Sequence, residues 1–402
     1  MYIYIYIYIL TMMRSITGGS VIYEKLLKNK VENVFLYSGG AIMNLIDQFY
    51  GGPIKYFINT HEQSCGHAAT GYAKSSGKTG VCAVTSGPGL TNMITPMLDA
   101  TNDSTPLVVF SGQVPRSAMG TQAFQECPAT EITTPVTKWS YCLETIEEVP
   151  YIIDEAFKVA NNGKKGAVHI DLPKCILNQQ FPKQTKQYMP PLSKTISHKK
   201  LILNNLSQQY TSKDYVNIIS LIKASRCPVL YVGKGCNHVS YMLRYFAKKY
   251  NIPVTTTIHA LGVFNENHPL SLEMVGMHGN ASANYAIQSA DLIIAIGSRF
   301  DDRTTGALEH YAPEAVKASK ENRGGIVHVN IEKSEINTVV KADYHFCEDA
   351  EIFLKNILQN SKENEPVSSD RKQWLAKISQ WKRSHPFKYD SAPHSRIKTQ
   401  DV

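Results

Sequence analysis

The first residues whose types and spacing could do chemistry lie in the run His61-Glu62-Gln63-Ser64-Cys65-Gly66-His67-Ala68-Ala69-Thr70-Gly71-Tyr72-Ala73. Glu62 stands in the first turn of a predicted helix whose small residues allow close packing, so a half-buried carboxyl is expected. Desolvation disfavours its charged form, which suits it to share or donate a proton rather than to carry a charge. The same position equally suits a carboxylate that interacts with the open amides of its own helix start. The second segment, Thr85-Ser86-Gly87-Pro88-Gly89-Leu90-Thr91-Asn92, reads as a strand end, a glycine turn and a helix start. Glycines there let a ligand approach the backbone, and the helix start offers unpaired amides, although many α/β turns share this composition. A third loop, Ser38-Gly39-Gly40-Ala41, follows an earlier apolar run and so falls on the same sheet edge.

These loops need a scaffold, and the surrounding pattern supplies one. From residue 14 to 175, short apolar runs alternate with helical patterns: Asn33 to Tyr37 then a helix from Ala41, Lys55 to Ile58 then a helix from His61, Gly80 to Thr85 then a helix from Thr91, and Pro106 to Ser111. Gly166 to Leu172 reads as the last strand. This rhythm predicts a doubly wound parallel sheet, with ligands at the carboxyl ends of its strands. Residues 176–212, rich in Lys, Gln, Pro and Ser, read as a linker. A second rhythm fills residues 213–360, with Pro228 to Val232, Pro253 to Ile258, Ala290 to Ile296 and Gly325 to Ile331 as strands and a helix around Tyr241 to Tyr250. Residues 361–402 are charged and polar, with Trp374 and Trp381 at helical spacing, and predict one docked helix followed by an irregular tail. The expected fold class is therefore α/β, two doubly wound parallel-sheet domains joined by a linker. No repeat at solenoid periods is present.

Composition narrows the function classes. A length of 402 residues fits two ordinary domains. The net charge of +8 is scattered, and the 22 Tyr and 13 His form no basic and aromatic array, which argues against nucleic-acid binding. No apolar run reaches the roughly 20 residues of a membrane helix, and no secretory or transit signal is recognisable, so a cytoplasmic protein is expected. The eight cysteines are widely spaced without a Cys-x-x-Cys, a pattern of reduced thiols rather than of a zinc site or a disulfide framework. Residues 2–9 alternate Tyr and Ile. They read either as part of a translated TA-repeat leader over residues 1–13, with Met12 or Met13 the start, or as an adhesive edge strand.

In their order and spacing, the three loops resemble the pyrimidine-binding domain of the thiamine diphosphate-dependent enzymes, and specifically the acetolactate (acetohydroxyacid) synthase large subunit. The likeness continues through Ser111-Gly112-Gln113-Val114-Pro115, Phe124-Gln125-Glu126, Pro135-Val136-Thr137-Lys138 and Ile170-Asp171-Leu172-Pro173-Lys174. It runs on through Gly276-Met277-His278-Gly279, Asn284-Tyr285-Ala286 and Gly297-Ser298-Arg299-Phe300-Asp301-Asp302-Arg303, and covers residues 17 to 400. The resemblance implies thiamine diphosphate as cofactor, in a branched-chain amino acid biosynthesis type of condensation. Glu62 would bond a ring nitrogen of the aminopyrimidine and favour its imino tautomer, whose exocyclic nitrogen deprotonates the thiazolium carbon. The carbon nucleophile so formed attacks pyruvate, carbon dioxide leaves, and a second 2-ketoacid is taken up. Pro88 and Asn92 would lie near the pyrimidine, Gly40 near the reacting centre, and Gln113 and Phe124 near cofactor or substrate.

By the same resemblance the second domain is an FAD-binding one, lined by His278 to Arg299, with the Gly297 strand end, and by Asn330 to Asp349. Arg299, Asp301 and Arg303 match individual contacts, and Lys164 reaches from the first domain. The plainer reading of Arg299, Asp301, Asp302 and Arg303 is a set of surface ion pairs. Three positions depart from the family pattern and weaken the FAD assignment. Lys164 stands for an arginine, and a point charge does not reproduce a bidentate fork. Asn330 stands for an acidic residue, and His259-Ala260 for Gln-Gly.

The family holds the cofactor's diphosphate through magnesium in a third domain with a Gly-Asp-Gly turn. This sequence contains no Gly-Asp-Gly, and Pro386-Phe387-Lys388-Tyr389 to Gln400 resembles the linker that enters that domain. No metal ligand is therefore assigned on this chain. The expectation is a homodimer formed through the pyrimidine-binding domain, inactive alone, completed in trans by a separate chain carrying the diphosphate-binding domain. A non-catalytic remnant or interaction module, and a related decarboxylase, are the alternatives.

Overall fold

The computed structural model describes residues 16–181, 210–362, 370–386 and 388. The expected leader, most of the expected linker and nearly all of the expected tail lie outside the described residues. The chain divides between residues 202 and 203 into two compact units.

In the first unit, Asn33–Leu36 (β1), Lys55–Ile58 (β2), Gly80–Val84 (β3), Leu107–Gln113 (β4), Trp139–Cys142 (β5) and Ala167–Pro173 (β6) form one sheet in the order β2-β1-β3-β4-β6-β5. Every pairing is parallel, with β4 matched to β6 from Leu107 opposite Ala167 to Gln113 opposite Pro173. Strands β3, β4 and β6 are buried along their whole length. Two covered faces require apolar residues at successive positions, which is why these strands read as unbroken runs rather than alternations. Neighbouring residues then serve opposite layers. Val81 and Ala83 pack in the cluster that holds Val21, Ile22 and Leu26 of the helix Gly18–Lys28, whereas Cys82 and Val84 pack with Met97 of the helix Ile94–Asn102. The edge strand β5 was not foreseen: it is short and half-exposed, and carries no apolar run. The helix expected from Ala41 is a single turn, Met43–Ile46, followed by the 3-10 turn Asp47–Phe49.

The second unit repeats the architecture with Pro228–Val232 (β7), Val254–Thr256 (β8), Ser271–Met274 (β9), Leu292–Ile296 (β10), Gly325–Val329 (β11) and Tyr344–Phe346 (β12), in the parallel order β12-β11-β10-β7-β8-β9. Strands β9 and β12, absent from the sequence reading, are three or four residues long and only partly buried. The helix Arg371–Ser384 docks through Trp374 and Ile378, and Trp374 Nε1 donates to Pro228 O at 3.2 Å. Arg371 is fully buried and donates to the carbonyls of Ile222 and Tyr250. Those carbonyls sit in the last turns of the helices Ser212–Ala224 and Ser240–Tyr250, where intrahelical partners run out and the helix dipole is negative. Burial pushes the guanidinium down to about 10, so it stays charged at neutral pH. All eight cysteines are free thiols, and no described helix is long and apolar enough to cross a membrane.

Candidate functional site

In the first sheet the order reverses between β1 and β3: β1 continues towards β2 on one side and β3 towards β4 on the other. Loops leaving two such strands diverge and open a crevice at their carboxyl ends. The loop after β1, the turn after β3 and the start of the helix Glu62–Ser76 all meet there.

Glu62 is 9% exposed, and its Oε2 accepts a hydrogen bond from Asn92 Nδ2 at 2.9 Å. The helix start is capped instead by His61, whose Nδ1 accepts from Gln63 N at 3.1 Å. The hydrogen bond given for the Glu62 side chain thus runs to a residue thirty positions on, while His61 serves the helix amide. Close approach is enforced by missing side chains. A Cβ at Gly66 would stand 2.4 Å from Pro96 Cβ, and one at Gly39 would stand 2.4 Å from Thr85 Cβ. Gly89 would place a Cβ 2.9 Å from Thr85 Cγ2 and 3.6 Å from Glu62 Oε1. Gly87 has φ +57°, and a Cβ there would meet Gln125 O at 2.7 Å. Beside Gly40, in contrast, nothing lies within 4 Å of where a Cβ would stand. Thr85 Oγ1 is buried with no hydrogen-bond partner among the described residues, a polar atom that a ligand or water must satisfy. Glu62, Asn92 and Gly40 are thus brought to one crevice, with Pro88 exposed at its rim.

Gln113, the last residue of β4, and Phe124, in the loop that follows it, have opposite exposures. Phe124 is 88% exposed, whereas Gln113 is buried and its amide is bonded to Val114 N, Cys127 O and Asp171. Asp171 belongs to a buried polar network that the sequence reading quoted within a motif without giving it a role. Ser111 Oγ donates to Asp171 Oδ1 at 2.5 Å and lies 2.7 Å from His169 Nε2, while His169 Nδ1 lies 2.9 Å from both Thr133 Oγ1 and Ser140 Oγ. Its one signal in the sequence is polar residues at alternate positions of otherwise apolar strands. Lys164 sits in the turn before β6, at the sheet edge opposite Glu62.

In the second unit the corresponding reversal lies between β7 and β10. The glycines there serve each other: a Cβ on Gly233 would stand 2.1 Å from Gly297 O, and one on Gly235 would stand 2.7 Å from Gly297 Cα. Gly297 itself has φ +64°. Asn330 is buried and spends its amide on Ser298 O and Glu332 N, both at 2.9 Å. Asp301 caps the turn Asp302–Thr305 by accepting from Thr304 N. Arg299 and His278 are exposed, as is Arg303, whose Nε lies 3.9 Å from Asp302. The turns after β9 and β10 are tied together by Met277 N donating to Arg303 O at 2.8 Å. Asp349 caps the helix Ala350–Gln359. With His238 and Glu351 it forms a group of three potential metal ligands lying within 4.8 Å of one another, but the positive end of that helix dipole disfavours a cation.

Two family models match the chain: the thiamine pyrophosphate enzyme N-terminal TPP binding domain over residues 16–132, and the thiamine pyrophosphate enzyme central domain over residues 216–357. Among curated proteins, the mitochondrial acetolactate synthase catalytic subunit of Saccharomyces cerevisiae is 42% identical over 396 residues, covering 96% of this chain and 56% of that protein. The mitochondrial acetolactate synthase of Schizosaccharomyces pombe is 41% identical, covering 96% of this chain and 58% of that protein. The acetolactate synthase large subunit of Buchnera aphidicola is 38% identical, covering 97% of this chain and 66% of that protein. The chain thus spans a little over half to about two-thirds of the length of these relatives.

The buried network makes a pH prediction. Burial pushes Asp171 up from 3.8 to about 6, so its contribution to stability is full below pH 3.8 and is lost as pH rises to about 6. Burial pushes His169 down from 6.5 to about 3, so its contribution is full above pH 6.5 and is lost as pH falls towards 3. One proton is worth about 1.4 kcal/mol per pH unit, and the two slopes cancel between about pH 4 and 6. In Asp171→Asn the histidine slope stands alone. Relative to the wild type, the urea-unfolding stability of this variant should fall by about 1.4 kcal/mol for each unit that the pH is lowered across that window, and superimposable pH profiles would refute the assignment.

Proposed function

Because the chain belongs to the thiamine pyrophosphate enzymes and carries the N-terminal and central domains found in acetolactate synthases, we propose that its first unit holds the aminopyrimidine end of thiamine diphosphate at Glu62. The reaction is the condensation of pyruvate with a second 2-ketoacid, with loss of carbon dioxide. The observation that carries this reading is the buried Glu62 carboxylate, anchored on one oxygen by Asn92 at the strand-order reversal.

The crevice fits the group. A planar heterocycle needs one fixed acceptor and a close backbone wall. Glu62 supplies the first, and the Gly87-Pro88-Gly89 turn, which has no room for side chains on its buried glycines, supplies the second. Asn92 fixes Oε2, while Oε1 faces the side of Gly89 where no Cβ stands. A carboxyl so held passes a proton through Oε1 to or from a ring nitrogen, and near-exclusion of water keeps that proton from leaking to solvent. Thr85 Oγ1 offers a further donor or acceptor at the same wall. When bound, thiamine diphosphate supplies the nucleophilic carbon and the electron sink for decarboxylation.

The reading extends to three further points. Magnesium belongs with the diphosphate end of the cofactor, and this reading assigns only the pyrimidine end to this crevice. FAD is assigned to the second unit, with Arg299 and Arg303 as exposed cationic side chains and His278 as an exposed imidazole for its diphosphate, and with Asp301 and Asp349 beside them. Gly297 and Asn330 act there on the protein's own turns. Lys164 has no assigned part in that contact. Finally, β2 is an edge strand exposing Tyr56, Phe57 and Ile58 at 42%, 46% and 65%, with Tyr50 nearby at 77%. Such an apolar edge calls for a cover, which supports a homodimer formed through this unit.

Three measurements test these readings. Acetolactate formation from pyruvate, thiamine diphosphate and magnesium should be followed with the chain alone and with a polypeptide supplying the part of the relatives' length that this chain does not span. Glu62→Gln should lower the rate in the active mixture by at least about 10²-fold; an unchanged rate would sink the role of Glu62. FAD titration followed by quenching of flavin fluorescence should saturate. Arg299→Ala should weaken it about tenfold, as expected for one charge-assisted hydrogen bond; absence of saturation would remove the FAD assignment. Sedimentation velocity should give a dimer that Ile58→Asp converts to monomer, and a monomeric wild type would remove the homodimer.

A further inference from the structure

Gln113 is the last residue of β4, 1% exposed, and every polar atom of its side chain is engaged inside the protein. Its Oε1 accepts from Val114 N at 2.9 Å, and its Nε2 donates to Cys127 O at 3.1 Å and to Asp171 Oδ2 at 2.8 Å. Val114 opens and Cys127 closes the loop between β4 and the short helix Ala129–Thr133. One side chain therefore ties together the two ends of that loop and fastens the knot to β6 through Asp171. Asp171 is itself fixed by Ser111, which is braced in turn by His169.

The far side of the same loop bears on the crevice. The Gln125 backbone lies against Gly87, where an added Cβ would stand 2.7 Å from Gln125 O. The loop tip is drawn in by Glu126, whose carboxylate accepts from Ala123 N at 3.1 Å and also from Gly120 N. Gln122 and Gln125 hold left-handed backbone at φ +59° and +61°, so the tip has little freedom to relax once its neck is closed. Phe124, 88% exposed, rides on this tip.

We propose that Gln113, held by Asp171, is a positioning residue that closes the neck of the loop from Val114 to Cys127. It thereby fixes how far Gln125 and Phe124 stand from the Gly87-Pro88-Gly89 turn, and so sets the width of the crevice that Glu62 faces. The proposal rests on the reading that this crevice takes the aminopyrimidine of thiamine diphosphate. Glutamine is required by its donors. A glutamate of the same length would turn a carboxylate towards Asp171 and the Cys127 carbonyl, two acceptors that offer it no proton.

The test is amide hydrogen exchange on the 402-residue chain, paired with calorimetric titration of thiamine diphosphate. Gln113→Met keeps the length and loses the hydrogen bonds. It should speed exchange from Val114 to Cys127 about tenfold, leave β3, β4 and β6 protected, and weaken thiamine diphosphate binding about tenfold. Should that variant not fold, Gln113→Asn, too short to span Val114 and Cys127, carries the same expectation. Exchange that is unchanged, or raised equally throughout the first unit, overturns the proposal, as does a loosened loop with unchanged affinity. A wild-type chain that binds no thiamine diphosphate overturns the reading of the crevice and its width-setting together; the exchange data, which need no ligand, tell that outcome apart from a neck that was never closed.

Discussion

The site depends on one carboxylate kept nearly out of water and held by a single side-chain amide. Burying a carboxyl is costly unless its oxygens are satisfied, and Asn92 satisfies Oε2 of Glu62 while the glycine turn leaves the other oxygen an approach. Most of the local sequence serves that arrangement. Gly66 lets the helix carrying Glu62 settle against Pro96, Gly39 lets the β1 loop settle against Thr85, and Gly87 takes a backbone conformation that an L side chain rarely adopts. The glycines of these segments are best understood as conditions for the distance between Glu62 and Asn92, and only secondarily as contacts for a ligand.

The first unit holds a second buried acid, and comparison of the two is instructive. Asp171 lies deep between β4 and β6, where it accepts from Ser111 and Gln113 and is answered within hydrogen-bonding distance of Ser111 by a neutral His169. Its bonds all lead into the protein, whereas only one Glu62 oxygen is so engaged and the other, Oε1, faces the Gly89 wall of the crevice. Burial alone thus does not mark a group as chemical. In the crevice, by contrast, Thr85 Oγ1 is left beside Glu62 with no partner among the described residues.

The second unit shows how the same topology is put to a different use. At its strand-order reversal the turns after β7 and β10 pack backbone to backbone, with Gly233, Gly235 and Gly297 filling the space that a diphosphate occupies at many such edges. The cationic side chains Arg299 and Arg303 lie outward, at the exposed surface, as does His278. The unit is closed on another side by the buried Arg371, which joins two helix carboxyl ends, a contact in which the carbonyl dipoles that accept its hydrogen bonds and the nearby charge of Asp291 balance the guanidinium.

Much was legible in the residues themselves. The βα rhythm, the parallel sheets buried on both faces, the helix with Trp374 docked on the second unit, and the segments that carry Gly40, Glu62, Pro88 and Asn92 follow from periodicity and turn chemistry, which act over a few residues. Short edge strands were not legible: β5, β9 and β12 are held by pairing with a neighbour and leave little local pattern. Nor did the sequence tell Glu62 as helix cap from Glu62 as partner of Asn92, or Gln113 as ligand contact from Gln113 as the tie between two loop ends. Those outcomes turn on contacts between residues thirty and fifty-eight positions apart. A side chain's type and its immediate neighbours limit what it can donate or accept, and only the folded chain determines which distant group comes within reach and which oxygen is left facing the crevice.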